Sequence, residues 1–210
     1  MQVKTPEGQP NPPPPSFVRV IRGLSDATLS IERKAITVLM FLLTFLILLN
    51  VVTRYSGLSL YWVDESAVYS VVWLTFIGGS AMTRLRMDFA VSLLTDHLSE
   101  KTQRIAKVIA GIGVVAFAVL LAWMCWLWLD PLGIAQSGFD PKAYAAKSFN
   151  FIYTERTQTL NWPTWVVYMI IPIFALTMTV HALANVLEDM GLAAVTKFPE
   201  FSLGTAEGIN

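Results

Sequence analysis

Residues 35–53 read AITVLMFLLTFLILLNVVT, 19 consecutive positions without a charged side chain. At 1.5 Å per residue a helix of that length covers a hydrocarbon core of about 30 Å. Thirteen of the positions are Leu, Ile, Val or Phe. At roughly −0.3 to −0.6 kcal/mol each they contribute about −4 to −8 kcal/mol to insertion, which outweighs the polar Asn50. The stretch is expected to cross a bilayer unaided.

The remaining composition suits the same solvent: of 210 residues 54% are hydrophobic and 14% charged, with a mean hydropathy of +0.54. Three further spans are expected, at 66–82, 108–129 and 165–187, giving an all-α integral membrane protein with four transmembrane helices. The second span has only six Leu, Ile, Val or Phe residues, and Ser66, Ser70, Thr75, Gly78, Gly79 and Ser80 are interspersed. Small residues let helix backbones approach closely, so this helix is expected to touch protein. The third span carries Gly111 and Gly113 and a run of alanines at Ala106, Ala110, Ala118 and Ala122, a second small-residue face. Pro172 in the fourth removes a backbone donor and should kink it.

Fifteen basic and fifteen acidic side chains cancel, so no overall field points to nucleic acid. Their placement sets an orientation. Eleven lysines and arginines fall in the amino-terminal tail, the connection after the second span and the carboxy-terminal tail, against four in the other two connections. Cytoplasmic loops retain the excess, so both termini are expected in the cytoplasm. Trp62, Trp123, Trp126, Trp128, Trp162 and Trp165 then fall near the outer ends of their spans, as an interfacial belt requires. No apolar secretory h-region precedes residue 35.

Outside the spans, residues 1–16 are proline-rich and expected to be a disordered tail. In 17–34, Phe17, Ile21, Leu24, Thr28 and Ile31 recur every three or four positions among charged neighbours, the pattern of an amphipathic interfacial helix. Residues 84–107 read similarly through Leu85, Phe89, Leu93, Leu94 and Leu98, and 188–210 form a cytoplasmic tail. The connection 130–164 is too long for a bare link, and Asp140-Pro141 reads as a cap and first position of a short helix through Tyr144 and Phe151.

Chemistry has few candidates. Catalysis needs converging titratable groups, and transport through one chain needs ionisable residues at mid-membrane. The spans offer Asn50, His181 and a few hydroxyls. No catalytic, metal or cofactor site is expected; Cys125 lies in an apolar run and reads as core filler. With His97 in a connection and His181 in the fourth span, a bis-histidine haem has no pair of facing ligands. The ionic groups that stand out flank the first connection: Arg54, and Asp64 with Glu65. An Arg54–Glu65 pair would pin the first two spans together.

The stretches Asn50-Val-Val-Thr-Arg-Tyr, Trp62-Val-Asp-Glu65 and Val72-Trp-Leu-Thr-Phe-Ile-Gly-Gly-Ser, with the later Trp162-Pro-Thr-Trp165, Tyr168 and Ile171-Pro172, resemble the small membrane subunit (DctQ-like) of tripartite ATP-independent periplasmic transporters. The likeness covers roughly residues 35–187; where many members have histidine and isoleucine after the second span, this chain has Asp88-Phe89. The resemblance implies a non-catalytic, multi-pass subunit of the bacterial inner membrane. Its implied partners are a large multi-span transport subunit and a periplasmic substrate-binding protein that together import organic acids. Structural or subunit-interface roles are then expected for Asn50, Arg54, Trp62, Glu65, Trp73, Gly78, Gly79 and Pro172. The competing class is a membrane anchor for a redox enzyme, and a small self-assembling channel is a third, which the lack of a polar stripe disfavours.

Overall fold

The computed structural model describes residues 15–87, 99–196 and 198. Most of the Pro-rich tail, the middle of the 84–107 segment with Asp88-Phe89 and His97, and the end of the carboxy-terminal tail lie outside them. Among the described residues seven helices follow in order: α1 (Ser16–Tyr55), α2 (Tyr61–Leu85), α3 (Glu100–Leu129), α4 (Pro131–Gln136), α5 (Pro141–Ser148), α6 (Thr164–Tyr168) and α7 (Ile170–Asp189). Four stretches are long and apolar enough to cross a membrane: α1, α2, α3 with its continuation, and α6 with α7. They define two ends, one carrying the connections 56–60 and 130–163 (the loop end) and one carrying residue 16 and the close of α7 (the terminal end).

The first span is part of a longer object. Residues 17–34 continue into it without a break, so α1 has 40 residues and runs roughly 60 Å at 1.5 Å each. Its upstream half turns Val18, Ser25, Leu29 and Glu32 inward, whereas Phe17, Leu24 and Ile31 of the apolar stripe stay exposed. The buried positions are spaced 7, 4 and 3 residues apart, one side of a helix, and two of the four are polar because the facing helix supplies partners for them.

Helix α7 is the centre. It packs against α1, α2 and α3, and α1 packs also against α2, whereas α3 has α7 as its principal neighbour. Gly111 explains how α3 comes so close: a Cβ there would lie 2.6 Å from Val186 Cγ2. Ala118 and Cys125, one and two heptads further, are buried on the same side. Gly113 by contrast faces open space.

The fourth span is interrupted at Met169, between α6 and α7, three residues before Pro172. Pro172 cannot donate to the carbonyl four residues back, which loosens the ladder at this turn. The Trp73 indole donates to the Val167 carbonyl at 3.0 Å and covers the interruption from α2.

Two Asp-Pro pairs start the short helices of the long connection. Asp140 accepts from Lys142 N at 2.9 Å ahead of Pro141, as the sequence predicts, and Asp130 repeats the device, accepting from Gly133 N at 2.9 Å ahead of Pro131. The predicted helix through Phe151 stops earlier, at Ser148, where Phe149 takes a left-handed conformation (φ 56°). The connection then folds back on the end of α3. Asn150 Nδ2 donates to the Trp128 carbonyl at 2.8 Å and the Tyr153 hydroxyl to the Leu129 carbonyl at 2.5 Å, satisfying acceptors that a helix end leaves free. Burial raises the Tyr153 hydroxyl above the ordinary tyrosine range, which keeps it a donor.

Candidate functional site

Among the described residues, the ionisable side chains that tie the long helices together gather at three levels. At the loop end Arg54 meets Asp64, not Glu65: Nη2 lies 2.6 Å from Asp64 Oδ2. Asn50 completes the contact, donating to Asp64 Oδ1 at 2.5 Å and accepting from Arg54 Nε at 2.8 Å. The expected Arg54–Glu65 pair is corrected by helix geometry, because adjacent residues on α2 point about 100° apart and only Asp64 turns toward α1. The Arg54 and Asp64 side chains are 58% and 39% exposed. Exposed pairs contribute about 0–1 kcal/mol, so Arg54→Ala should lower stability by no more than about 1 kcal/mol in a thermal melt; a larger loss would show a buried role.

Glu65 serves the long connection instead. Residues 155–164 form a hairpin-like loop, with an Arg156–Pro163 bridge, Thr157 N donating to the Trp162 carbonyl at 2.9 Å and Asn161 left-handed at its tip (φ 52°). Three successive backbone amides at that tip, those of Gln158, Thr159 and Leu160, donate to the Glu65 carboxylate at 2.9, 2.7 and 2.9 Å. The Thr159 hydroxyl joins them, and Tyr69 OH donates to Oε1 at 2.9 Å. Successive amides pointing at one centre make an anion-binding concavity, and a protein carboxylate fills it here. Glu65→Ala should therefore speed hydrogen exchange at 158–160 while leaving exchange in α2 unchanged, and Glu65→Gln should do so less; unaltered exchange at 158–160 would show that the loop holds its own shape.

Next to this latch a cleft of about 630 Å³ opens between the start of α2 and the hairpin, lined by Tyr61, Asp64, Glu65, Arg156 and Tyr168 among others. Trp62, 43% exposed, lines a separate apolar groove of about 410 Å³ with Leu42, Leu46, Trp73 and Trp162.

Below the spans' midpoint, His181 of α7 is held on both ring nitrogens: Nδ1 lies 2.7 Å from Ser25 Oγ and Nε2 lies 3.0 Å from Glu32 Oε2, both on α1. Serine, histidine and acid are the residue types of a nucleophilic triad, but there the serine meets Nε2 and the acid Nδ1, the reverse of this order. Ser25 and His181 are also 0% exposed, so no acyl group can reach the hydroxyl. The contact works as a polar tie between α1 and α7, and it leaves His181 no free nitrogen for a haem iron.

At the terminal end three arginines surround one carboxylate. Glu188, with no exposed side-chain surface, lies 3.1 Å from Arg84 Nη1, 3.2 Å from Arg86 Nη2 and 3.3 Å from Arg22 Nε. Asp26 and Asp189 balance the excess, at 3.0 Å from Arg84 and 2.7 Å from Arg86. Asn185 accepts from Arg84 Nη1 at 2.9 Å. The chain beyond α7 is tied to the same knot: Thr196 Oγ1 donates to Glu188 Oε1 at 2.9 Å and accepts from Arg22 Nη2 at 2.9 Å, and Phe198 lies under the Arg84 guanidinium at 5.5 Å. Arg104 Nε caps the end of α7 on the Asp189 carbonyl at 2.8 Å and brings in α3. Charge counting places Arg22 in the amino-terminal amphipathic segment and Arg84, Arg86 and Arg104 in the connection after the second span, and assigns them no partners. A signal was present: α2 and α7 run the same way, so Arg84 and Arg86 on one and Glu188 and Asp189 on the other must emerge together.

The two glycines of α2 separate. Gly79 faces α7, its Cβ direction ending 3.6 Å from Phe174, whereas Gly78 has nothing within 4 Å. Gly78 is half-buried, and Val68, Val71, Thr75 and Met82 beside it are exposed. With Gly78 they are spaced alternately three and four residues apart, the spacing of a helix-packing seam, and no helix among the described residues covers the seam.

These exposed positions lie on a helix that is otherwise packed against α1 and α7. A family model described as tripartite ATP-independent periplasmic transporters, DctQ component, matches residues 43–191. The chain belongs to the DctQ family. The match begins inside the first span and ends two residues past α7, so it takes in the latch, His181 and Glu188, but not the upstream half of α1 with Ser25 and Glu32. No curated protein and no solved structure matches the chain. As a DctQ protein it is a small component of such a transporter.

Proposed function

We propose that this DctQ protein is a non-catalytic scaffold of the bacterial inner membrane that holds the large transport subunit of an organic-acid importer, with both termini in the cytoplasm. The observation that carries the reading is the unpartnered seam Val68, Val71, Thr75, Gly78 and Met82 on α2. The window of α2 that could cross the membrane has a mean hydropathy of 1.2, against 2.0 to 2.7 for the other three. A face containing Thr and Gly on the least apolar span gains little from lipid and more from a close-packed helix, since small residues admit close backbone approach. The large subunit supplies that helix.

The internal ties fit the role. A scaffold must resist deformation, and the Arg54–Asp64 contact, the His181 tie and the Glu188 knot join α1, α2 and α7 at three depths. The latched hairpin 155–164 and the cleft beside it sit at the loop end, where the periplasmic binding protein would arrive. His181 has both ring nitrogens engaged, by Ser25 and Glu32, and the second Glu32 oxygen is buried without a hydrogen-bond partner among the described residues; a histidine held from both sides suits a static part better than a moving ion site.

Gly78→Phe tests the seam. The position has open space, so the chain should fold and melt as before, while recovery of the large subunit with it falls by roughly tenfold or more. Gly113→Phe, equally open but on α3, should leave recovery unchanged. Undiminished recovery with Gly78→Phe would remove the seam from the interface, and a loss with Gly113→Phe would move the interface to α3.

A further inference from the structure

The long connection between α3 and α6 holds a set of apolar side chains that the fold does not use. Leu132, Phe139, Phe149 and Phe151 are 62%, 73%, 81% and 53% exposed, Leu132 in the short continuation of α3 and the three phenylalanines beyond it. Two of them stand on unfavourable backbone: Phe139 (φ 58°) and Phe149 (φ 56°) are left-handed, a conformation that L residues with a Cβ disfavour and that glycine would occupy freely. Both sit just past short helices, where they close the turn, Phe139 N donating to the Ile134 carbonyl at 3.0 Å and Phe149 N to Ala145 at 2.9 Å. Glycine is the ordinary residue for that turn, so a phenylalanine there points to a use for its ring.

Three observations name what covers the rings. The segment follows α3 without a gap, Asp130 being the single residue between α3 and α4. Asn150 and Tyr153 fold it back onto the last carbonyls of α3. The last turns of α3 carry the exposed Trp123, Trp126 and Leu127, so the patch continues a surface that lies in lipid. Lys142 and Lys147 flank it on α5, both exposed, as long cations at a phosphate layer do.

We propose that residues 131–151 form an interfacial wedge, with Leu132, Phe139, Phe149 and Phe151 immersed at the boundary between headgroups and acyl chains and Lys142 and Lys147 among the phosphates. The wedge anchors the loop end in the leaflet beside α3 and leaves the hairpin 155–164 as the part of the connection that reaches into water. It does not depend on which leaflet that is, nor on the scaffold reading above.

Nitroxide labels test it in the full chain carrying Cys125→Ala, reconstituted in vesicles of phosphatidylethanolamine and phosphatidylglycerol. Labels on Phe139→Cys and Phe149→Cys should collide more with oxygen than with a water-soluble nickel chelate, and a label on Gln158→Cys should do the reverse. Leu132→Cys and Phe151→Cys, which lie outside the left-handed turns, repeat the measurement without backbone strain. Preferential collision with the chelate at these four positions would place the patch in water and overturn the wedge. Low collision with both reagents, in the chain alone or only once the large subunit is added, would show that protein covers it and would overturn it equally.

Discussion

Glu188→Ala should destabilise the terminal end more than any other single substitution. The carboxylate lies within 3.3 Å of three arginines, one of which, Arg84, is itself 1% exposed. Removing one partner of a buried ion pair costs about 3–5 kcal/mol, because the remaining charge keeps its desolvation penalty and loses its compensation. Here Asp26 and Asp189 offset part of that loss, each holding one arginine from the other side. The effect should appear as a lower melting temperature in nanodiscs and as faster amide exchange around 185–198, since Thr196 also donates to Glu188. Glu188→Gln, which keeps the shape and removes the charge, should fall between. Adding Arg86→Met to Glu188→Ala should restore part of the loss, as coupled neighbours do. A change below about 1 kcal/mol for Glu188→Ala would mean that the knot is solvated and structurally idle.

Gly111→Leu should detach α3. A Cβ at that position falls 2.6 Å from the Cγ2 of Val186, a branched and buried side chain with no room to swing away. Overpacking of this kind costs about 1–3 kcal/mol. The consequence exceeds the number, because among the described residues α3 packs chiefly on α7 and has no second large interface to hold it. Crosslinking between cysteines on α3 and α7 should fail in Gly111→Leu and persist in Gly113→Leu, where the added side chain meets open space. Equal crosslinking in both would show that the α3–α7 contact tolerates separation.

The spans were legible because hydrophobic length alone reports them: a 19-residue uncharged run admits no other reading. What composition could not report is rotation about each helix axis. Asp64 and Glu65 are neighbours in sequence, yet one faces Arg54 and the other the hairpin, and nothing in a single sequence chooses between them. The same limit hid Ser25 and Glu32. Their apolar neighbours Phe17, Leu24 and Ile31 stay exposed, while the positions one residue on, about 100° round the helix, carry the tie to His181. Gly78 and Gly79 are adjacent small residues that sequence alone does not tell apart, yet only Gly79 has a neighbour, Phe174, within reach of a Cβ. The Glu188 knot depends on four segments far apart in the chain, so only the direction of each span could have foreshadowed it.

The central claim is that this chain supports transport without performing it. Proteoliposomes containing the large subunit with this chain, the large subunit alone, and this chain alone, each supplied with the periplasmic binding protein and an organic acid, test it most directly. The account predicts substrate uptake in the first preparation and none in the third. Substrate-dependent flux through this chain alone would contradict it.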